Sequence, residues 1–93
     1  MAKKLKVTFV NHEKNDEKHT VTGRVAQTIL AFKQTSMGIT AHEMSSWAFR
    51  LGAYVFILRD KYELRIDTLR EPHQDGYHAR YVLRSNVSPT STS

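Results

Sequence analysis

Cysteine is absent from the 93-residue sequence, and so are long apolar runs. Without cysteine there is no disulfide framework and no thiolate metal site. No apolar stretch approaches the roughly 20 residues that a membrane-spanning helix needs. Residues 1–6 are basic, like the start of a signal peptide, but no apolar segment follows them. We therefore expect a cytoplasmic protein with no membrane partner.

Motifs for catalysis and cofactor binding are also lacking. The sequence has no Gly-x-Ser-x-Gly, no phosphate loop and no dinucleotide fingerprint, and its acidic residues are scattered among basic ones. His73 and His78 lie on either side of a predicted turn, but two histidines alone are a weak zinc pattern. We interpret them as polar residues of a hairpin wing that contact solvent or phosphate. The expectation is a protein that is not an enzyme and that has no catalytic residues, metal or cofactor.

The charge balance is moderately basic. Lys and Arg outnumber Asp and Glu by 14 to 9, which gives a formal net charge of +5. Residues 1–22 carry five Lys against three acids, residues 23–62 five basic residues against two acids, and the remainder is balanced. A basic chain suits a polyanionic partner, but plain soluble domains share this property. Charge alone therefore favours nucleic acid only slightly.

The N-terminal half predicts a β-hairpin followed by a helix. Residues 5–11 alternate apolar and polar side chains, a polar turn follows, and residues 19–22 form a short return strand. From Gly23 the apolar residues recur at helical spacing, with Thr22 as the expected N-cap. We expect this helix to end near Thr35, and Gly38 to take a positive φ in the loop after it.

The central segment predicts a helix, a tight turn and a second helix. Residues 40–43 have the capping-box pattern of a helix start, and Ser45-Ser46 offers a cap for a helix from about Trp47 to Tyr62. The core-facing stripe of that second helix is expected to consist of Trp47, Leu51, Tyr54, Val55, Leu58 and Tyr62. Gly52 inside it implies the close approach of another helix or of a ligand backbone.

Two strands follow, over 64–70 and 77–83, and Asp75-Gly76 marks the turn between them. Pro72 should end its strand or lie on an edge. On the second strand we expect residues 77, 79, 81 and 83 to share one face, with His78 and Arg80 on the other.

We thus predict an α+β fold, a winged helix-turn-helix made of a three-helix bundle, a C-terminal hairpin wing and an N-terminal hairpin. A single domain would span 1–84, with the hairpin at 4–22 and the helical core and wing at 23–84. Residues 85–93 have almost no apolar side chain to bury, so we expect a disordered tail.

A winged helix-turn-helix usually places its second helix in the major groove of DNA. Arg50 suits a bidentate contact with guanine, and Ala53 or Phe49 suits a thymine methyl group. The full set of expected contacts to double-stranded DNA is Ser46, Phe49, Arg50, Ala53, Arg70, His73, Gln74, His78 and Arg80.

The same outer face, bordered by Arg59, also carries the apolar residues Phe49, Phe56 and Ile57. Exposed apolar clusters favour contact with protein. The alternative is therefore a protein-interaction adaptor without DNA binding, and a homodimer or another protein partner through these residues stays open.

Several segments together resemble the small winged helix domain proteins encoded by bacteriophages and bacterial prophages. They are Trp47–Leu51, Tyr54–Arg59, Ile66–His73 and Gly76–Leu83. The resemblance covers roughly residues 21–83. It implies a winged helix fold, a presumed role in DNA binding or phage gene regulation, and no enzymatic activity. A family-level DNA contact would fall on Arg50 and the wing.

Overall fold

Five strands and two helices follow one another in the computed structural model, which describes residues 5–40, 50–73 and 76–92. In chain order they are β1 (Lys6–Asn11), β2 (Glu17–Thr22), α1 (Gly23–Gln34), α2 (Leu51–Asp60), β3 (Ile66–His73), β4 (Gly76–Leu83) and β5 (Val87–Thr92). The strands form two antiparallel sheets, one in the order β2-β1-β5 and the other made of β3 and β4. This arrangement confirms the predicted α+β class. No helix in the described part of the chain is long and apolar enough to cross a bilayer.

The predicted N-terminal hairpin is confirmed. Strands β1 and β2 pair from Lys6 opposite Thr22 to Asn11 opposite Glu17. The turn between them contains Asn15 and Asp16 at φ of 56° and 55°. Asn and Asp tolerate this left-handed conformation better than other non-glycine residues, which explains the polar turn in the sequence.

The prediction of a disordered C-terminal tail is wrong, because residues 87–92 form the strand β5 beside β1. Val87 lies opposite Asn11 and is fully buried. Backbone hydrogen bonds to a neighbouring strand need no apolar side chains, so a polar segment can pair with β1, and the burial of Val87 and the hydrogen bond between Ser88 and His12 add to this pairing. Pro89 fits because β5 is an edge strand, and the register shifts between Thr8 and Phe9 next to it. The ordered region therefore extends well past residue 84.

Helix α1 has nearly the predicted bounds. Thr22 occupies the N-cap position with extended backbone, although its hydroxyl makes no capping hydrogen bond. Gly23 has a φ of +64°, and its amide donates to the Leu5 carbonyl at 2.8 Å, which joins the helix start to β1. Gly38, after the helix, has the expected positive φ, at +94°.

Helix α2 confirms the predicted core face where the structure describes it. Leu51, Val55 and Leu58 are buried, and Tyr54 is half-buried. The helix ends at Asp60, so the half-buried Tyr62 lies just beyond it rather than within it. Thr40, the first residue of the predicted helix start at residues 40–43, is described and buried. The rest of that start, the short helix after it and Trp47 lie outside the described residues. The three-helix bundle thus remains a prediction.

The C-terminal hairpin, called the wing below, consists of β3 and β4. It is longer than predicted, with Ile66 opposite Leu83 at its base and His73 opposite Gly76 at its tip. Pro72 lies on β3, which pairs with β4 on one side only, so the expected edge position is confirmed. Val82 is buried, so the β4 face that was predicted to carry only His78 and Arg80 also contributes to the protein interior.

The core lies between the three-stranded sheet, the two helices and the base of the wing. Its buried members are Val7, Phe9, Val21, Ala26, Ile29, Phe32, Ile39, Leu51, Val55, Leu58, Leu64, Ile66 and Val87. Ile39 and Tyr81 exchange two backbone hydrogen bonds of 2.8 Å, which attach the wing to the segment after α1. The wing is thereby fixed to the core at its base.

Candidate nucleic-acid interface

The solvent side of α2 is open along its whole described length. Arg50 lies at the N-cap position and is exposed, and Ala53 is exposed one turn later. Phe56 is 64% exposed and Ile57 is 36% exposed. The predicted contacts Arg50 and Ala53 therefore lie on one accessible surface, which we call the outer face of α2.

The base of the wing lies directly beside the start of α2. A Cβ atom added to Gly52 would be 3.3 Å from the Tyr81 hydroxyl of β4. Among the described residues, the neighbour of Gly52 is thus a tyrosine side chain of the wing, and not another helix or a ligand backbone as predicted. The N-terminal turn of α2 and the base of the wing are therefore neighbours on the molecular surface.

The wing carries several of the other predicted contacts. Arg70 is exposed on β3. The backbones of His73 and His78 belong to β3 and β4, near the tip of the hairpin. Gln74, like Ser46 and Phe49, lies outside the described residues. The wing therefore places the two histidines and Arg70 on one hairpin, as the sequence indicated.

Arg80 differs from the other predicted contacts. Its side chain is only 18% exposed, and its Nε lies 2.7 Å from the Glu71 carboxylate. Its Nη1 donates to the Gly38 carbonyl at 3.1 Å. Arg80 therefore braces the wing against the segment after α1, and a phosphate contact would have to compete with these bonds. Sequence reasoning assigned it a contact because the strand pattern does not reveal Glu71 and Gly38 as partners.

Arg59 has a similar role that sequence reasoning missed. Its Nε donates to the Ile66 carbonyl at 2.9 Å, and its Nη2 donates both to that carbonyl and to the Thr68 hydroxyl, the latter at 2.5 Å. The last turn of α2 is thus bonded to the first residues of β3. No local sequence signal marks this contact, because the acceptors lie on a different element.

Comparison with known proteins agrees with this geometry. A family model described as a winged helix domain matches residues 18–93, more than three quarters of the chain. The chain belongs to the winged helix domain family. Searches among curated proteins and among solved structures gave no match. The matched span extends past residue 83 and includes β5, so that strand falls within the family's domain.

The other arginines near the base of this winged helix domain are paired with acids. Arg65 bonds Glu13 of the N-terminal turn at 3.0 and 2.7 Å. This hydrogen bond is the main cause that lowers the pKa of Glu13 below its usual value. Arg84 bonds Asp67 at 2.8 Å. These two ion pairs lie away from the outer face of α2.

A Ser–His–Asp arrangement lies on the opposite sheet of the winged helix domain. His12 Nδ1 lies 2.8 Å from Asp16 Oδ1, and its Nε2 lies 2.9 Å from Ser88 Oγ. The Asp16 and His12 side chains are 71% and 38% exposed, so water competes for both bonds. We interpret the arrangement as a link between the hairpin turn and β5. Among the described residues, no group of three or more His, Asp or Glu is placed to hold a metal ion.

Proposed function

We propose that this winged helix domain binds double-stranded DNA, with the outer face of α2 in the major groove and the wing along the neighbouring backbone. The observation that carries the proposal is the exposed surface at the start of α2, immediately beside the base of the wing. Winged helix domains are typically DNA-binding modules without enzymatic activity. The resemblance to phage and prophage proteins supports gene regulation in the bacterial cytoplasm as the setting.

Each contact has a chemical role in this proposal. The planar guanidinium of Arg50 suits the O6 and N7 atoms of guanine, and the Ala53 methyl group suits a thymine methyl. Arg70 contacts phosphate and adds affinity without sequence preference. The remaining proposed contacts are Ser46, Phe49, His73, Gln74 and His78.

A salt titration of duplex binding tests the proposal. Each phosphate contact contributes about 0.9 to the slope of log K against log salt, so three to five contacts give a slope of roughly −3 to −5. Arg70→Ala should reduce that slope by about 1 for every duplex, whereas Arg50→Ala should also relax sequence preference. Arg84→Ala is the matched control, because it removes the same charge from an exposed arginine that is not among the proposed contacts. Absence of duplex binding at about 50 mM salt and high micromolar protein would refute the proposal.

A second candidate function is protein binding through the outer face of α2. Phe56 is 64% exposed beside Ile57, and such apolar surface is typical of protein contacts. A partner or a second copy would cover these residues, and we propose that Phe49, which precedes α2 in the sequence, joins them. In this case Phe56→Asp abolishes association, Phe56→Leu retains it, and Arg50→Ala has little effect. Size measurement in solution, repeated with and without DNA, separates the two functions.

A further inference from the structure

Arg59 lies at the end of α2 and bonds the first part of the wing. We infer that it is a positioning residue, which fixes the angle between α2 and the wing and acts on DNA binding without touching DNA. The inference rests on the proposed function, since the helix and the wing must engage one duplex together. The claim that Arg59 fixes the angle between α2 and the wing can be tested without DNA.

The geometry of Arg59 suits this role. Its planar guanidinium reaches two acceptors that are two residues apart on β3, the Ile66 carbonyl and the Thr68 hydroxyl. The guanidinium has several N–H donors in one plane, so it can bond both acceptors in a single fixed orientation. The lysine ammonium is a compact charge whose donors rotate freely, so it does not impose such an orientation. These bonds therefore couple the last turn of α2 to the first residues of β3.

The Ile66 carbonyl is a suitable acceptor because it faces the open edge of β3. The Arg84 amide donates to the neighbouring Arg65 carbonyl at 2.7 Å, so the Arg65 carbonyl points toward the β4 side. Carbonyl directions alternate along a strand, which turns the Ile66 carbonyl away from β4. Arg59 thus supplies the donor that a neighbouring strand would otherwise supply at this position.

A second brace lies farther along the wing. Arg80 joins the Gly38 carbonyl to Glu71, so β3 and β4 are also held to the segment after α1. Together with the Ile39–Tyr81 backbone hydrogen bonds, the Arg59 and Arg80 contacts hold the hairpin at several points along its length, and Arg59 is the contact that joins it to the last turn of α2. A binding surface held in its bound shape loses less entropy on association, and this is how Arg59 contributes to affinity.

Conservative variants separate positioning from phosphate contact. Arg59→Lys keeps the charge but loses the planar fork, and Thr68→Val removes one acceptor without changing charge. If Arg59 positions the wing, Arg59→Lys raises Kd about tenfold and Thr68→Val about threefold, both with an unchanged salt slope. The double variant is no weaker than Arg59→Lys alone, because both changes remove the same contact. Arg84→Lys serves as the control and binds as the parent does.

Other outcomes overturn the inference. If Arg59→Lys binds as tightly as the parent while Arg59→Ala lowers the salt slope by about 0.9, Arg59 is a phosphate contact. If Thr68→Val leaves Kd unchanged, or if the effects of Arg59→Lys and Thr68→Val simply add, the side chains do not act through each other.

A distance measurement without DNA completes the test. The chain has no cysteine, so spin labels can be placed on Phe56→Cys in α2 and Pro72→Cys in the wing. Both positions are exposed. The inference predicts one narrow distance distribution, which broadens or shifts when Arg59→Lys or Thr68→Val is added. An unchanged distribution overturns the inference even if the parent protein binds DNA. If the parent protein does not bind DNA, the proposed function and the effect of Arg59 on affinity are both refuted. If the distance distribution nevertheless broadens in the variants, Arg59 still fixes the angle between α2 and the wing.

Discussion

Replacing Gly38 with alanine should destabilise the protein more than the same substitution at Gly23 or Gly52. Gly38 has a φ of +94°, and a Cβ there would lie 2.5 Å from the Tyr81 carbonyl and 2.7 Å from Val82 Cγ2. The carbonyl cannot withdraw easily, since it accepts the 2.8 Å hydrogen bond from the Ile39 amide. The substitution therefore forces the wing away from the segment after α1.

The size of the effect follows from two costs. Alanine in a left-handed conformation costs about 1–2 kcal/mol, and an extra carbon in a packed site costs about 1–3 kcal/mol. Alanine also lowers the conformational entropy of the unfolded chain, which stabilises the folded state by about 0.4–1 kcal/mol and offsets part of these costs. We expect a net loss of about 2–4 kcal/mol, which is a large part of the stability of a small domain. The melting temperature should fall by about 10–30 °C.

Gly23→Ala is the matched control for thermal unfolding followed by circular dichroism. Gly23 also has a positive φ, of +64°, but nothing lies within 4 Å of the added Cβ. In this variant only the backbone strain applies, so its free energy of unfolding should fall by about 1 kcal/mol or less. If the two variants melt within about 3 °C of each other, the contact between Gly38 and β4 is not rigid and the reasoning fails.

Three further outcomes are expected. Deleting residues 86–93 should lower the denaturant midpoint, because the burial of Val87 alone contributes about 1.5–3 kcal/mol, and an unchanged midpoint would mean that β5 does not stabilise β1. Leu58→Ala should cost about 2–5 kcal/mol, since Leu58 is fully buried, and a parent-like melting temperature would contradict the core face of α2. Because Arg65 lowers the pKa of Glu13 in the folded state, their pair stabilises the protein above the usual carboxyl pKa of about 4, and this contribution is lost as the pH falls through the folded-state value. Glu13→Gln should therefore lose less stability than the parent between neutral and acidic pH, and identical acid profiles would exclude a contribution from the pair.

Local patterns in the sequence determined most of the secondary structure. The alternation around Phe9, the apolar spacing around Ile29 and the Asp-Gly pair that predicted a turn before β4 each depend on residues a few positions apart. A period of two residues in a strand, or of 3.6 in a helix, predicts which side chains share a face. The helical period therefore also predicts which side of α2 is buried and which is exposed. The outer face with Arg50 and the wing with Arg70 were therefore both predictable.

Tertiary structure alone decided the contacts between distant segments. The tail is polar, and only its pairing with β1 orders it, because a strand edge supplies hydrogen bonds to any sequence that can extend along it. Arg59 and Arg80 resemble DNA contacts in sequence, yet both donate to backbone carbonyls on other elements. A charged side chain bonds whichever acceptor the fold brings within about 3 Å, and sequence spacing does not encode that distance.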